Sequence, residues 1–286
     1  MYYTLPPMKI NRQIAWLAAI GAMISCQVGA TQAKALFAVV DTAGATFLRV
    51  GISALLMLIL FRPRIGQITR EQWKRIALYG LSVAAMNFIF YCALRTTPLG
   101  ICVTVEFVGP LALALIFSRK PLDFLWTALA VAGIALIVPW TEQTGDIPLT
   151  GVLLAATAGV GWAFYILATN HVTKITRATD AAALGMAVAA LATLPLALFA
   201  GGVLHLTRAA TVPALAVAIF SSALPFTLEL VALKGLPEKT FSITLSVEPA
   251  IAALCGFLFL GETLTPIQLL AMLCVIIASI GSTRTK

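Results

Sequence analysis

The chain has 286 residues, of which 60% are hydrophobic and 10% charged, with 19 Lys and Arg against 11 Asp and Glu. Soluble domains carry about 25% charged residues, so this composition excludes a water-solvated globule and defines an integral membrane protein. The net charge of +8 requires no polyanion and no nucleic-acid partner, because the basic residues stand between apolar runs, where the positive-inside rule places them.

Taken in chain order, ten apolar segments are expected, at 14–33, 44–61, 73–92, 98–117, 124–140, 151–169, 181–200, 212–233, 241–260 and 266–282. Each is close to the ~20 residues that cross a bilayer as one helix. Basic residues fix the orientation. With both termini cytoplasmic, the inner side holds Lys9, Arg12, Arg62, Arg64, Arg70, Lys74, Arg75, Arg119, Lys120, Lys174, Arg177, Lys234, Lys239, Arg284 and Lys286. The outer side holds Lys34, Arg95 and Arg208, together with the acidic Glu142 and Asp146. Lys9 and Arg12 precede an apolar run that continues past Cys26, so Met23-Ile24-Ser25-Cys26 is read as part of a span rather than as a cleavage site.

Two of the segments are related. Ala93-Leu94-Arg95 and Pro98 lead into 98–117, and Ala232-Leu233-Lys234 and Pro237 lead into 241–260. Pro98 and Pro237 are as far apart as Pro110 and Pro249. That offset is about half the chain, so each half holds five spans, and an odd number inverts the second half relative to the first. The expected fold is all-α, with ten transmembrane helices in two inverted five-helix repeats. The first repeat is 1–140, the external linker 141–150 and the second repeat 151–286.

Both related segments carry an acid at membrane depth, Glu106 and Glu248, where a carboxylate costs roughly 2.5–3.5 kcal/mol on insertion scales. Each also has a proline, Pro110 and Pro249, that removes a helix hydrogen bond and leaves the carbonyl four residues back without its donor. For Pro110 that carbonyl belongs to Glu106. Such features are tolerated where a helix lines a protein-enclosed cavity. Two readings stand for the acids: they bind a cationic group or exchange protons, or they are structural acids paired with Arg or a neighbouring helix.

The other polar residues at depth divide similarly. Arg49 either holds a substrate carboxylate in its planar fork or, the reading favoured by position, snorkels to the interface or neutralises a glutamate. Glu229 is a gate candidate or an interfacial acid near Lys234. Lys34 reads as an interface anchor before a gate residue. Asn87 and Tyr91, one turn apart, and Gln27, Trp162 and Tyr165 either line the cavity or bond between helices. Gly21, Ser25 and Gly29, and likewise Ala155, Gly159 and Ala163, form small-residue stripes for close helix packing.

Enzyme signatures such as HExxH, GxSxG and a phosphate-cradling GxxxxGK[ST] are missing from the sequence. Without a nucleotide loop, ATP-driven transport by this chain alone has no basis. His171 and His205 lie near loops. Cys26, Cys92, Cys102, Cys255 and Cys274 lie inside apolar runs with no CxxC spacing, so they read as small buried hydrophobes, with no metal site.

Several strings carry a resemblance: NFIFYCALRTTPLGICVTVEFVGPLALAL, SRKPLDF, SSALPFTLELVALKGLPEKTF, SVEPAIAA and FLGETLTPIQLLA. They are similar to the drug/metabolite transporter superfamily, built from two EamA repeats, and within it to the bacterial threonine/homoserine exporters. The resemblance covers about residues 13–283. It implies a multi-pass carrier of the bacterial inner membrane that exports small neutral amino acids against protons. Its partners would be the amino acid, protons and the bilayer, with no cofactor and no ATPase subunit. A broader metabolite or drug efflux carrier of the same superfamily is the alternative within transport. A membrane-embedded enzyme is the remote one, and it would need Glu106 and Glu248 within a few ångströms of each other.

Overall fold

The computed structural model describes residues 11–116, 121–137, 147–205 and 208–285. Lys9, Arg119, Lys120, Glu142, Asp146 and Lys286, which entered the orientation argument, lie outside the described residues, as do 138–146 of the expected linker and fifth segment. Among the described residues the chain is helical throughout, with short connections. Eight helical runs are long and apolar enough to cross a membrane, and shorter apolar helices lie at Leu99–Leu113 and Phe124–Leu136, where the fourth and fifth segments were expected.

The first three helices are α1 (Arg12–Leu36), α2 (Thr42–Phe61) and α3 (Arg70–Leu94). Their starts follow from local chemistry. Asn11 accepts from the Gln13 N–H, Asp41 accepts from the Gly44 N–H, and Thr69 with Gln72 forms a capping box before α3. Asp41 also accepts from the Gly202 N–H at 2.8 Å, tying the start of α2 to a distant connection. The fourth span is divided into α4 (Leu99–Glu106) and α5 (Val108–Ile116) around Phe107, and α6 (Pro121–Ile137) follows. In the second half α7 (Leu149–Thr173) and α8 (Ala178–Ala200) are continuous. Then α9 (Arg208–Ala218) passes through a π-helical turn, Ile219–Ala223, into α10 (Leu224–Gly235). The ninth span is divided into α11 (Glu238–Leu245) and α12 (Glu248–Leu260), and α13 (Pro266–Thr285) closes the chain. Gly201 and Gly261, with φ of 84° and 66°, end α8 and α12 in the left-handed conformation that glycine adopts at little cost.

The two proline-marked spans therefore do break, but ahead of the proline rather than at it. Phe107 lies three residues before Pro110, and Ser246–Val247 lies directly before Glu248 and Pro249. The first break is narrow, since Phe107 still donates to the Val103 carbonyl at 3.1 Å and Leu111 to that of Phe107 at 3.2 Å. Breaks of this kind need a neighbour that can approach the backbone. A Cβ on Gly159 of α7 would collide with the Glu106 carbonyl, and one on Gly109 with the Gly159 carbonyl. A Cβ on Gly29 of α1 would likewise collide with Ser221 in the π-helical turn. The two small-residue stripes thus do pack closely, and what they pack against is irregular backbone.

The helices pair in a definite pattern. α3 packs on α7, α1 on α9 and α10, α2 on α8, α6 on α13, and α4 on α12. The largest buried cluster lies at the end of the bundle opposite the Arg62–Arg70 region, and includes Ala33, Leu36, Ala93, Leu94, Leu99 and Cys102. Large apolar side chains such as Leu55, Ile59, Leu78, Phe164, Leu191, Phe199 and Phe257 point outward, the arrangement that a hydrocarbon solvent requires.

Candidate functional site

A cavity of about 640 Å³ lies within the bundle, and its wall takes residues from nearly every span. It contains Cys26 and Gln27 from α1, Arg49 from α2, Asn87 from α3, Glu106 and Phe107 at the α4–α5 break, and Trp162 and Tyr165 from α7. Ser221 and Ser222 from the π-helical turn, Glu229 from α10 and Glu248 from the start of α12 complete its polar lining. The cavity reaches Asn170 and Thr283, close to the ends of α7 and α13, at the end of the bundle where α2 stops and α3 starts. That end, the basic end, carries Arg62, Arg64, Arg70, Lys74, Arg75, Lys174, Arg177, Lys234 and Arg284. At the far end the cavity stops near Ala30, Phe90 and Val103, beneath the buried cluster of Leu36, Leu94 and Leu99.

Of the residues singled out from the sequence, Gln27, Arg49, Asn87, Glu106, Trp162, Tyr165, Glu229, Glu248 and Pro110 meet on this wall. Pro249, next to Glu248, is buried. Tyr91 is fully buried behind the wall, where its ring sits 5.3 Å from the Arg49 guanidinium carbon and edge-on to Phe37. Asn87 donates to the Val83 carbonyl of its own helix at 2.8 Å. Phe107 stands at right angles to Trp162 with ring centroids 5.0 Å apart, so the α4–α5 break contributes an aromatic wall as well as an acid.

Three carboxylates and one guanidinium face the same space, and they do not pair with one another. Glu106 is buried at the C-terminal end of α4. Glu248, in the first turn of α12, accepts from Gln27 Nε2 at 2.9 Å, while Gln27 Oε1 is buried with no hydrogen-bond partner. Glu229 lines the cavity from α10 and forms no ion pair with Lys234 among the described residues. Arg49 stands inside the bundle, on the cavity wall. Its Nη2 donates to the Ser221 carbonyl at 3.1 Å and its Nε to Ser222 Oγ at 3.4 Å, and no ion pair joins it to an acid among the described residues. Charges withdrawn from bulk water and left unpaired are costly, so this arrangement is complementary to a ligand carrying both signs.

Two features escaped the sequence reading. The π-helical turn follows from Pro225, which has no N–H to offer the carbonyl four residues back, that of Ser221. Leu224 instead bonds back five residues to Ile219, the wider turn that often marks functional sites. Ser25 Oγ donates to Phe220 O at 2.8 Å and Ser53 Oγ to Ala218 O at 3.1 Å, so side chains of α1 and α2 satisfy this stretch. The logic applied to Pro110 and Pro249 would have found it. The second is Glu262. Lys34 is ion-paired to it rather than anchored at an interface, and Lys34 Nζ also donates to the Thr97 carbonyl at 3.1 Å. The other oxygen of Glu262 accepts from the Leu99 N–H at 2.7 Å, capping α4, whose own N-cap Pro98 offers no side-chain bond. The far end of the cavity is therefore closed by α1, the start of α4 and the α12–α13 connection, held together at one carboxylate.

A multi-pass helical membrane protein with a central cavity of unpaired charges, reaching one end and shut at the other, has the form of a membrane transporter. The sequence profile of the EamA-like transporter family matches residues 149–284. Threonine/homoserine exporter RhtA of Escherichia coli K12 is 43% identical over 284 residues, covering 98% of this chain and 95% of the relative. RhtA of Salmonella typhimurium LT2 is 43% identical over 264 residues, covering 92% and 89%. The uncharacterized transporter YwfM of Bacillus subtilis is 25% identical over 232 residues, 78% of this chain and 77% of that one. A crystal structure of another protein, 18% identical, superposes on 95% of this chain and 98% of its own with a TM-score of 0.62, a likeness of fold. This chain belongs to the EamA-like transporter family.

Proposed function

We propose that the chain exports small neutral amino acids, threonine and homoserine among them, across the bacterial inner membrane by proton-coupled alternating access. The observation that carries the reading is that Arg49 on one wall segment and Glu106 and Glu248 on others face the same cavity without an ion pair among the described residues. A zwitterion satisfies both signs at once: its carboxylate takes the guanidinium fork and its ammonium a glutamate. The 43%-identical relatives are threonine/homoserine exporters, which supports the same substrates. The basic end is assigned to the cytoplasm by the positive-inside rule, so the structure is read as facing inward. Inverted repeats at 1–140 and 151–286 are supported by the packing, because exchanging the two halves turns the α3–α7 pair into the pair of α10 with α1 and maps α2–α8 and α6–α13 onto themselves.

Everted membrane vesicles containing the protein should accumulate labelled threonine and homoserine when energised. A protonophore should reduce that accumulation to equilibration. Uptake no greater than in vesicles lacking the protein would remove the amino-acid reading. Uptake indifferent to the protonophore, with no accompanying proton flux, would make the carrier a uniporter.

A further inference from the structure

Resting on that reading, we infer that Pro225 is a positioning residue for substrate recognition: by withholding an N–H from the Ser221 carbonyl, it makes the anchor that presents Arg49 to the substrate carboxylate. The guanidinium is held on its protein side by three neutral contacts, the Ser221 carbonyl, Ser222 Oγ and the face of Tyr91. None of them neutralises its charge. Hydrogen bonds to described residues use two of its five N–H donors, and the rest of the fork is left for a ligand in the cavity that it lines. An ordinary residue at 225 would donate to the Ser221 carbonyl, as in any α-helix, and would compete for the acceptor that orients Arg49. Pro225 lines the same cavity, yet its side chain has no polar atom to offer a zwitterion. Its effect on recognition therefore passes through Arg49. The turn is also fixed from behind, by Ser25 on the Phe220 carbonyl and Ser53 on that of Ala218, so a change at its end reaches the guanidinium rather than being absorbed.

The test compares two ligands that differ only at the carboxylate: threonine and threoninol, its reduced alcohol. Binding to purified, lipid-reconstituted protein is measured for wild type, Pro225→Ala and Arg49→Lys, the last keeping the charge but losing the fork. Wild type should prefer threonine by about tenfold or more, the worth of a charge-assisted bond. Both variants should lose most of that preference by weakening threonine while threoninol binding stays unchanged. Pro225→Ala adds a helix hydrogen bond, so the variant keeps its fold, and its melting temperature against wild type verifies this. An unaltered preference in Pro225→Ala overturns the positioning role, and equal weakening of both ligands would make the turn purely structural. A wild type that binds threonine but does not prefer it to threoninol has no carboxylate subsite, which removes this inference and leaves amino-acid export standing. A wild type that binds neither threonine nor homoserine removes the export reading and this inference with it.

Discussion

Glu248→Gln will abolish uphill efflux while exchange of labelled for unlabelled substrate continues within about twofold of wild type, and Glu106→Gln will weaken substrate binding by roughly 10–100-fold, the value of a hydrogen bond to a charged group. The division follows from where each acid sits. Glu106 ends α4, so that helix's C-terminal carbonyls add their partial negative charge to its own and favour a cation beside it. That is the environment of an ammonium site. Glu248 begins α12 beside a two-residue break, accepts from Gln27, and sits at the positive end of that helix's dipole. It can release a proton without leaving a bare charge, and Gln at 248 cannot carry one. Exchange needs no net proton movement and survives; concentration against a gradient does not. Both variants are assayed at matched membrane expression, since a misfolded carrier fails in both assays. Retention of uphill efflux in Glu248→Gln would make that residue structural, and the opposite pattern in the two variants would exchange the assignments.

The second large effect is expected at the far end. Replacing Glu262 by Ala leaves Lys34 without its counter-ion and the Leu99 N–H without its cap. Orphaning such a group costs about 1–3 kcal/mol where it is buried, and 1.4 kcal/mol changes a two-state population tenfold. In a protein whose only cysteine is the native Cys26 on the cavity wall, an impermeant thiol reagent added outside the cell should therefore label Glu262→Ala about tenfold faster than its parent. Lys34→Ala should show a smaller rise, because the cap on α4 remains. Equal labelling rates in all three proteins would mean that the buried cluster of Leu36, Leu94 and Leu99 closes this end without help from the ion pair.

The all-helical membrane fold was legible because composition and span length are direct consequences of the bilayer as solvent. Glu106, Glu248, Gln27 and Trp162 were legible for the same reason, since a polar group at depth must face protein or water. Arg49 was misjudged because distance from the span end cannot reveal that a neighbouring carbonyl holds a guanidinium inside the bundle. Tyr91 shares a helix with Asn87, yet one meets the cavity and the other lies behind Arg49, a difference set by packing rather than by spacing. Glu262 was invisible because it stands in a connection between spans, where an acid is ordinary, and its partners come from 163 and 228 positions away.

The shortness of α4 has an electrical consequence. Its eight residues span about 12 Å at 1.5 Å per residue, against roughly 30 Å of hydrocarbon. With the basic end facing the cytoplasm, as proposed, water entering there extends the cytoplasmic potential inward to Glu106, so the voltage across the membrane falls mainly over this thin septum. A charge carried through it does about 2.3 kcal/mol of work per 100 mV in less than half the membrane's thickness. Under the proposed proton coupling, the proton step is the one the voltage grips. In liposomes without a pH gradient, a potassium diffusion potential should alter the rate of net threonine movement and leave exchange untouched; a net rate independent of that potential would mean that the charge crosses already compensated.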